Sequence, residues 1–87
     1  MRVRTSGGAP PLAPYAGNGF QIRATYKGKL FTARVRKDGK VRFDGKIYNS
    51  PSLAGIAVVG RTCNGWSFWR YKNTDNEWVR LNELRRS

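Results

Sequence analysis

The stretch that decides the fold is FQIRATYKGKLFTARVRKDGKVRF, residues 20–43, in which apolar and polar side chains alternate. Such alternation predicts β-strands with one buried face and one solvated face. Gly28 allows a tight turn within it, and Asp38-Gly39 is a strong hairpin signal because a type I′ turn needs φ > 0 at both central residues. We therefore expect an antiparallel meander whose inward positions are Phe20, Ile22, Ala24, Tyr26, Phe31, Ala33, Val35, Val41 and Phe43.

The meander is followed by a segment with the features of a short helix. After a second Asp-Gly turn and the strand KIYN, residues 50–60 read SPSLAGIAVVG. Ser50 is suited to the N-cap and Pro51 to the first helical position, with Ser52 as an alternative cap, and the final glycine can end the helix in the left-handed conformation. Gly55 lies in the helix interior, which predicts close packing on the sheet or on a ligand.

The last third of the chain is read as further short elements. We expect an Asn-Gly turn, a strand, a polar loop, and a terminal short strand or helical turn, over residues 64–65, 66–72, 73–77 and 78–87. The predicted fold class is therefore α+β. A small antiparallel sheet of about four to six short strands packs with one short helix after Ser50 and a short C-terminal element.

Two boundaries follow from composition. Residues 1–19 hold three of the four prolines and four of the ten glycines, which predicts a flexible tail or linker, with the domain at 20–87. Leu12 and Tyr15 are the residues of the tail that have the chemistry to dock on the domain. No apolar run reaches the length of a membrane span, so we expect a cytoplasmic protein, associated with the nucleoid if the source is bacterial.

The charge balance indicates a polyanionic partner. Seventeen Lys and Arg face five Asp and Glu, a net charge of +12 in 87 residues. Such an excess opposes folding by self-repulsion, so a nucleic acid is the natural partner. The alternative is a basic surface that only keeps the protein soluble. The outward positions of the predicted meander carry much of this charge, at Arg23, Lys27, Arg34, Arg36, Lys40 and Arg42.

Catalytic chemistry is poorly supported by the sequence. There is no histidine, and Cys63 is the single cysteine, which removes histidine-based metal sites and the usual general base. Asp38 and Asp44 precede glycines in turns, where their side chains usually bond their own backbone. We expect no enzyme activity, no metal and no cofactor.

The candidate contacts to DNA come from three features. The serine-capped start of the helix, with Ser50 and Ser52, offers backbone N–H groups to a phosphate. Asn64, at the tip of a turn, has an amide that matches a base edge. Trp66 and Trp69 would point to opposite faces of a strand, so one can lie in the core while the other is a stacking surface. The basic contacts are predicted at Arg34, Arg36, Arg61, Arg70 and Arg85.

The order of these motifs resembles the RAMA domain (restriction enzyme adenine methylase associated domain). YNSPSLAG, CNGWSFWRY and WVRLNELR match a pattern of an SPSxA segment before a helix, an NGWxFW strand and a final LxxLR, over residues 20–86. The resemblance implies an accessory module of DNA-modification and restriction systems that binds DNA and senses modified bases. It implies DNA contacts at Ser50 or Ser52, Asn64, Trp66 and Arg85.

Two other functions fit the same residues. The first is binding of RNA or single-stranded nucleic acid, with exposed aromatic rings stacking on bases. The second is a protein-interaction domain that docks on a fused or associated methyltransferase or nuclease. Duplex DNA is the partner that we favour, because the charge excess and the resemblance point to it together.

Overall fold

The computed structural model describes residues 10–86 and shows a six-stranded antiparallel sheet in the order β4-β3-β2-β1-β5-β6. The predicted α+β class is confirmed. The strands are β1 (Phe20–Tyr26), β2 (Lys29–Val35), β3 (Val41–Phe43), β4 (Lys46–Tyr48), β5 (Arg70–Lys72) and β6 (Trp78–Arg80). The helices are α1 (Pro51–Val59) and the single turn α2 (Gly65–Phe68), with 3-10 segments at Ala13–Tyr15 and Leu81–Arg86.

The turns of the meander follow from local sequence, with one correction. The β1–β2 turn has φ of 52° at Lys27 and 78° at Gly28. The Asp44-Gly45 turn has φ of 52° and 77° at its two residues, so both turns have the two positive φ values that a type I′ turn requires. Asp38-Gly39 was expected to form that turn too, but only Gly39 has positive φ there. The loop is wider instead. It is closed by a 2.8 Å bond from the Arg36 N–H to the Lys40 carbonyl.

The segment before β1 packs on the domain, which differs from the predicted tail over residues 1–19. Leu12 is fully buried and Ala16 nearly so. Gly39 is so close to the backbone of Ala13 that a Cβ there would clash, which leaves no room for a longer side chain in the β2–β3 loop. A small domain is short of core, and burying Leu12 adds apolar area that the sheet cannot supply. Residues 1–9 of the predicted tail lie outside the described residues.

Helix α1 begins and ends as its sequence predicts. The Ser50 side chain accepts a 3.2 Å bond from the Leu53 N–H, Pro51 occupies the first turn, and Gly60 takes φ of 78° after the helix. The core lies between the helices and the inward face of the sheet. Its buried members are Leu12, Ala16, Ile22, Ala24, Ala33, Val35, Val41, Ala54, Trp66, Trp69 and Leu81.

The prediction of a strand over 66–72 is wrong for its first half. Residues 65–68 form helix α2, with the N–H groups of Ser67 and Phe68 both donating to the carbonyl of Asn64. The strand β5 starts only at Arg70. Trp66 and Trp69 therefore do not face opposite sides of a strand, and both are buried. The terminal stretch contains both predicted forms, the strand β6 and then a 3-10 segment.

Neither helix within residues 10–86 combines the length and apolar character needed to cross a bilayer.

Candidate nucleic-acid interface

The SPS and NGW motifs meet where α2 packs against the start of α1. The hydroxyl oxygen of Ser52 accepts the N–H of Gly65 at 3.0 Å, and the indole N–H of Trp69 donates to the buried Pro51 carbonyl at 3.0 Å. Gly65 lies against the Pro51–Ser52 peptide, where a Cβ would clash with backbone atoms. The two motifs are thus bonded to each other. The sequence did not distinguish whether Ser50 or Ser52 caps α1; in the structure Ser50 is the cap, and Ser52 bonds to α2.

Asn64 and the two serines each use an oxygen inside the fold. Asn64 is the N-cap of α2, and its side-chain oxygen accepts the Trp66 N–H at 3.1 Å. Because a hydroxyl that accepts a bond can still donate its hydrogen, Ser50 and Ser52 each keep one donor. The exposed side chain of Asn64 likewise keeps its amide N–H groups. These three residues therefore retain donors, and each oxygen has already accepted one bond inside the fold.

Trp66, which the sequence predicts as a DNA contact, is enclosed and offers no stacking surface. Its exposed fraction is 9 %. Tyr15 meets it in an edge-on contact at 6.1 Å between ring centroids, and the guanidinium of Arg85 lies 4.0 Å from the centre of its ring. Arg85 is held there by two hydrogen bonds to the Asn82 side-chain oxygen. These contacts cover the ring, so a base has no access to it.

Five of the predicted residues are nevertheless brought together on the side of the sheet that carries the helices. Ser52 connects to Asn64 through Gly65, Asn64 bonds Trp66, and Trp66 stacks with Arg85. We call this group the helix-side cluster: Ser50, Ser52, Asn64, Trp66 and Arg85.

The opposite face of the sheet, which we call the open face, carries a set of arginines. Alternation within β1, β2 and β5 turns polar side chains such as Arg23, Arg34 and Arg70 away from the core. The register places one arginine on this face from each of five adjacent strands: Arg42, Arg34, Arg23, Arg70 and Arg80, on β3, β2, β1, β5 and β6. Four of them are exposed, and Arg23 is half-buried.

A family model described as Restriction Enzyme Adenine Methylase Associated (RAMA) matches residues 15–87. The chain belongs to the RAMA family. No curated protein matches the chain. The matched region begins ahead of β1 and includes Tyr15 and Ala16, which agrees with the packing of this segment on the domain.

The other predicted arginines of this RAMA domain lie away from the open face or off its strands. Arg36 forms an ion pair with Asp38 at 3.4 Å in the β2–β3 loop. Arg61 is exposed in the loop between the two helices. Of the predicted contacts, only Arg34 and Arg70 belong to the open face. Sequence reasoning placed Arg23 and Arg34 at outward positions of the meander but did not bring Arg70 and Arg80 onto the same face.

Sequence reasoning missed Trp78 as a surface residue. It lies on the edge strand β6 opposite Lys72, half-buried, and the guanidinium of Arg23 covers its ring at 3.8 Å from the centroid. The signal was present in the alternation of Trp78, Val79 and Arg80, which puts the first and third on one face. The pairing of β6 with β5 was needed to show which face that is.

Two arginines of the open face have a carboxylate nearby. Asp44 lines a shallow depression of about 290 Å³ together with Arg34 and Arg42.

Burial raises the pKa of the Cys63 thiol, which packs against Gly55. Interior Gly55 therefore marks close packing, but against Cys63 and Phe68 rather than the sheet.

The described residues contain no group of three or more His, Cys, Asp and Glu side chains that could hold a metal ion.

Proposed function

We propose that this RAMA domain is the DNA-binding accessory module of a restriction-modification system, and that it holds duplex DNA by its phosphates on the open face. RAMA domains are associated with restriction enzyme adenine methylases, which makes a methyltransferase, or a nuclease of the same system, the expected companion. The observation that carries the proposal is the placement of one arginine from each of five adjacent strands on one face.

The geometry of these arginines is costly unless an anion is bound. Arg34 is directly opposite Arg42, and Arg70 is directly opposite both Arg23 and Arg80. Like charges at directly opposed positions destabilise a sheet. Since neighbouring strands are about 4.8 Å apart, the row of Arg23, Arg70 and Arg80 spans roughly 10 Å. A line of phosphates along one DNA strand would neutralise this row and remove the repulsion.

The helix-side cluster has a secondary role in the proposal. Its free donors, on Ser50, Ser52 and Asn64, suit phosphate or base-edge acceptors, and Arg85 adds a charge. Reading of modified bases belongs to the same proposal, since the family is associated with enzymes that modify adenine. The domain itself would act without catalysis, in the cytoplasm or on the nucleoid, and leave the chemistry to its companion.

The test is a salt titration of binding to a fluorescent duplex of about 20 base pairs. If the five arginines each release about one counterion, the slope of log K against log salt is about −4.5, and affinity falls roughly 500-fold between 50 and 200 mM salt. In the double variant Arg70→Gln with Arg80→Gln the slope is expected to be about −2.7. Its affinity then falls only roughly 40-fold between 50 and 200 mM salt.

The matched control removes the same charge elsewhere. Lys37→Gln with Lys46→Gln changes two exposed positions away from the open face, one in the β2–β3 loop and one opposite the inward-facing Phe43, and leaves the slope near that of the unchanged domain. Equal slopes for the two double variants would show diffuse attraction instead of binding on this face, and no duplex binding at 50 mM salt would refute the proposal. Competition with single-stranded DNA, double-stranded RNA and adenine-methylated duplex tests the partner and the reading of modification.

A further inference from the structure

A cavity of about 730 Å³ opens beside the arginine row, at a gap in the sheet. Strand β5 is short and pairs with β1 only at Ile22 and Arg23, so β5 does not extend along the second half of β1. Helix α2 leads into β5 at this point and leaves the gap open. The walls of the cavity include Arg23, Leu30, Phe68, Arg70, Trp78 and Arg80.

The walls combine flat apolar surfaces with three guanidinium groups. Trp78 with Arg23 stacked on its ring forms one wall, and Leu30 and Phe68 add apolar surface. Leu30 is 58 % exposed, so a large apolar side chain at this wall is open to solvent. None of the described residues that line the cavity carries a carboxylate. A ligand that fits these walls has a planar ring and carries negative charge.

We propose that this cavity holds one unstacked nucleotide of a bound DNA strand. The base stacks on the Arg23–Trp78 pair, because guanidinium planes and indole rings are both surfaces on which unstacked bases pack. The phosphates on either side of that nucleotide lie against Arg70 and Arg80, which are directly opposite each other on neighbouring strands. This inference rests on the proposed function and names the feature of DNA that its face recognises.

The size and position of the cavity support a single nucleotide over a longer segment. Its volume is within the range of about 300–1,000 Å³ that small-ligand pockets have. A base inside a paired duplex has both faces covered by its neighbours, so only an unpaired or extruded base can enter. Because the cavity adjoins Arg23, Arg70 and Arg80, a strand that follows this row would carry the displaced base directly over it.

The experiment compares three duplexes of the same sequence. One is fully paired, one has a single unpaired adenine, and one has an abasic nucleotide at that bulge. The domain is expected to bind the adenine bulge about tenfold more tightly than the paired duplex, the scale of one base stacked on an aromatic ring. The abasic bulge has the same bent backbone without the base, so it is expected to bind like the paired duplex.

Two variants and one spectrum locate the site. Trp78→Leu is expected to abolish the preference for the adenine bulge and to keep the affinity for paired duplex, whereas Ile47→Ala, on the same face at the far edge strand, keeps the preference. The indole N–H resonance of Trp78 is expected to shift with the adenine bulge and not with the abasic one. Trp69 is fully buried, with its indole N–H bonded to the Pro51 carbonyl, and serves as the internal reference. This spectrum uses the unchanged domain, so it decides the question even where Trp78→Leu does not fold.

The outcomes separate the cavity from the proposed function. Equal affinity for all three duplexes refutes the nucleotide site in the cavity and leaves the proposed DNA binding intact. A preference shared by the adenine and abasic bulges, or an unmoved Trp78 resonance with a bound adenine bulge, also overturns it. Failure to bind any of the duplexes at 50 mM salt refutes the proposed function and this inference together.

Discussion

Substitution of Gly65 by alanine tests whether the NGW motif holds the fold together. A Cβ at Gly65 would lie well inside contact distance of the carbonyl carbon and oxygen of Pro51 and of the nitrogen of Ser52. All three are backbone atoms, so no rotamer change relieves the clash, and α2 has to move away from α1. Overpacking of this kind costs about 1–3 kcal/mol.

The displacement also breaks the bonds that join the helices. The bond from the Gly65 N–H to Ser52 and the bond from the Trp69 indole to the Pro51 carbonyl are each about 3.0 Å long. At about 1 kcal/mol each, their loss raises the expected cost of Gly65→Ala to roughly 3–5 kcal/mol. The free energy of unfolding of a small domain is only about 5–15 kcal/mol, so the variant would be close to unfolding.

Urea denaturation followed by circular dichroism measures this cost. Ser67→Ala, an exposed position on the same helical turn, is the control and is expected to stay within about 0.5 kcal/mol of the parent. Ser52→Ala alone should cost about 1 kcal/mol, and combined with Gly65→Ala it should add less than that, because both variants lose the same bond. A cost below about 1 kcal/mol for Gly65→Ala would refute the packing argument.

Two further predictions concern Asn64 and Cys63. Asn64→Ala should cost about 1 kcal/mol in urea denaturation by loss of the α2 cap, whereas Asn64→Ser keeps a capping oxygen and most of that stability. If the Asn64 amide also contacts DNA, both variants should weaken binding, and equal binding by Asn64→Ser would show that the cap is its whole role. Burial raises the pKa of the Cys63 thiol in the folded state, so alkylation near pH 8 should be slower than in urea-unfolded chain. The raised pKa of the Cys63 thiol also contributes to the free energy of unfolding. That contribution is full below the pKa of the unfolded thiol and is lost as the pH rises through the folded pKa. Cys63→Ala should lack that part of the pH dependence.

The strands and α1 were predictable because their signals are local. Period-two alternation fixes which side chains face the core, and Ser50, Pro51 and Gly60 each meet a backbone requirement at a helix end. These features depend on neighbours within a few positions. The turns expected at Gly28 and Asp44-Gly45 are present, but the type I′ turn predicted at Asp38-Gly39 is not; there Ala13 packs against Gly39 in a contact across the fold.

Helix α2 was missed because its composition favours the wrong element. Tryptophan and phenylalanine are enriched in strands, and Asn-Gly is the usual hairpin signal. Asparagine is also a good N-cap, however, and the bond from Gly65 to Ser52, thirteen residues earlier in the chain, helps to hold the helical turn. A tertiary contact therefore overrides the local preference, and it reverses the prediction for Trp66 from a DNA contact to a core residue.

The residues that carry the family resemblance and the residues proposed to hold DNA are largely different sets. Ser52 accepts the Gly65 N–H, Asn64 accepts the Trp66 N–H, and Trp66 is enclosed by Tyr15 and Arg85. Matching these motifs therefore identifies an architecture. The arginines and the Arg23–Trp78 pair proposed to hold DNA lie on the other face, where Phe68 of the NGWSFW stretch lines the cavity beside them. A family member with the same motifs and a neutral open face should consequently share this fold and lack its affinity for duplex DNA.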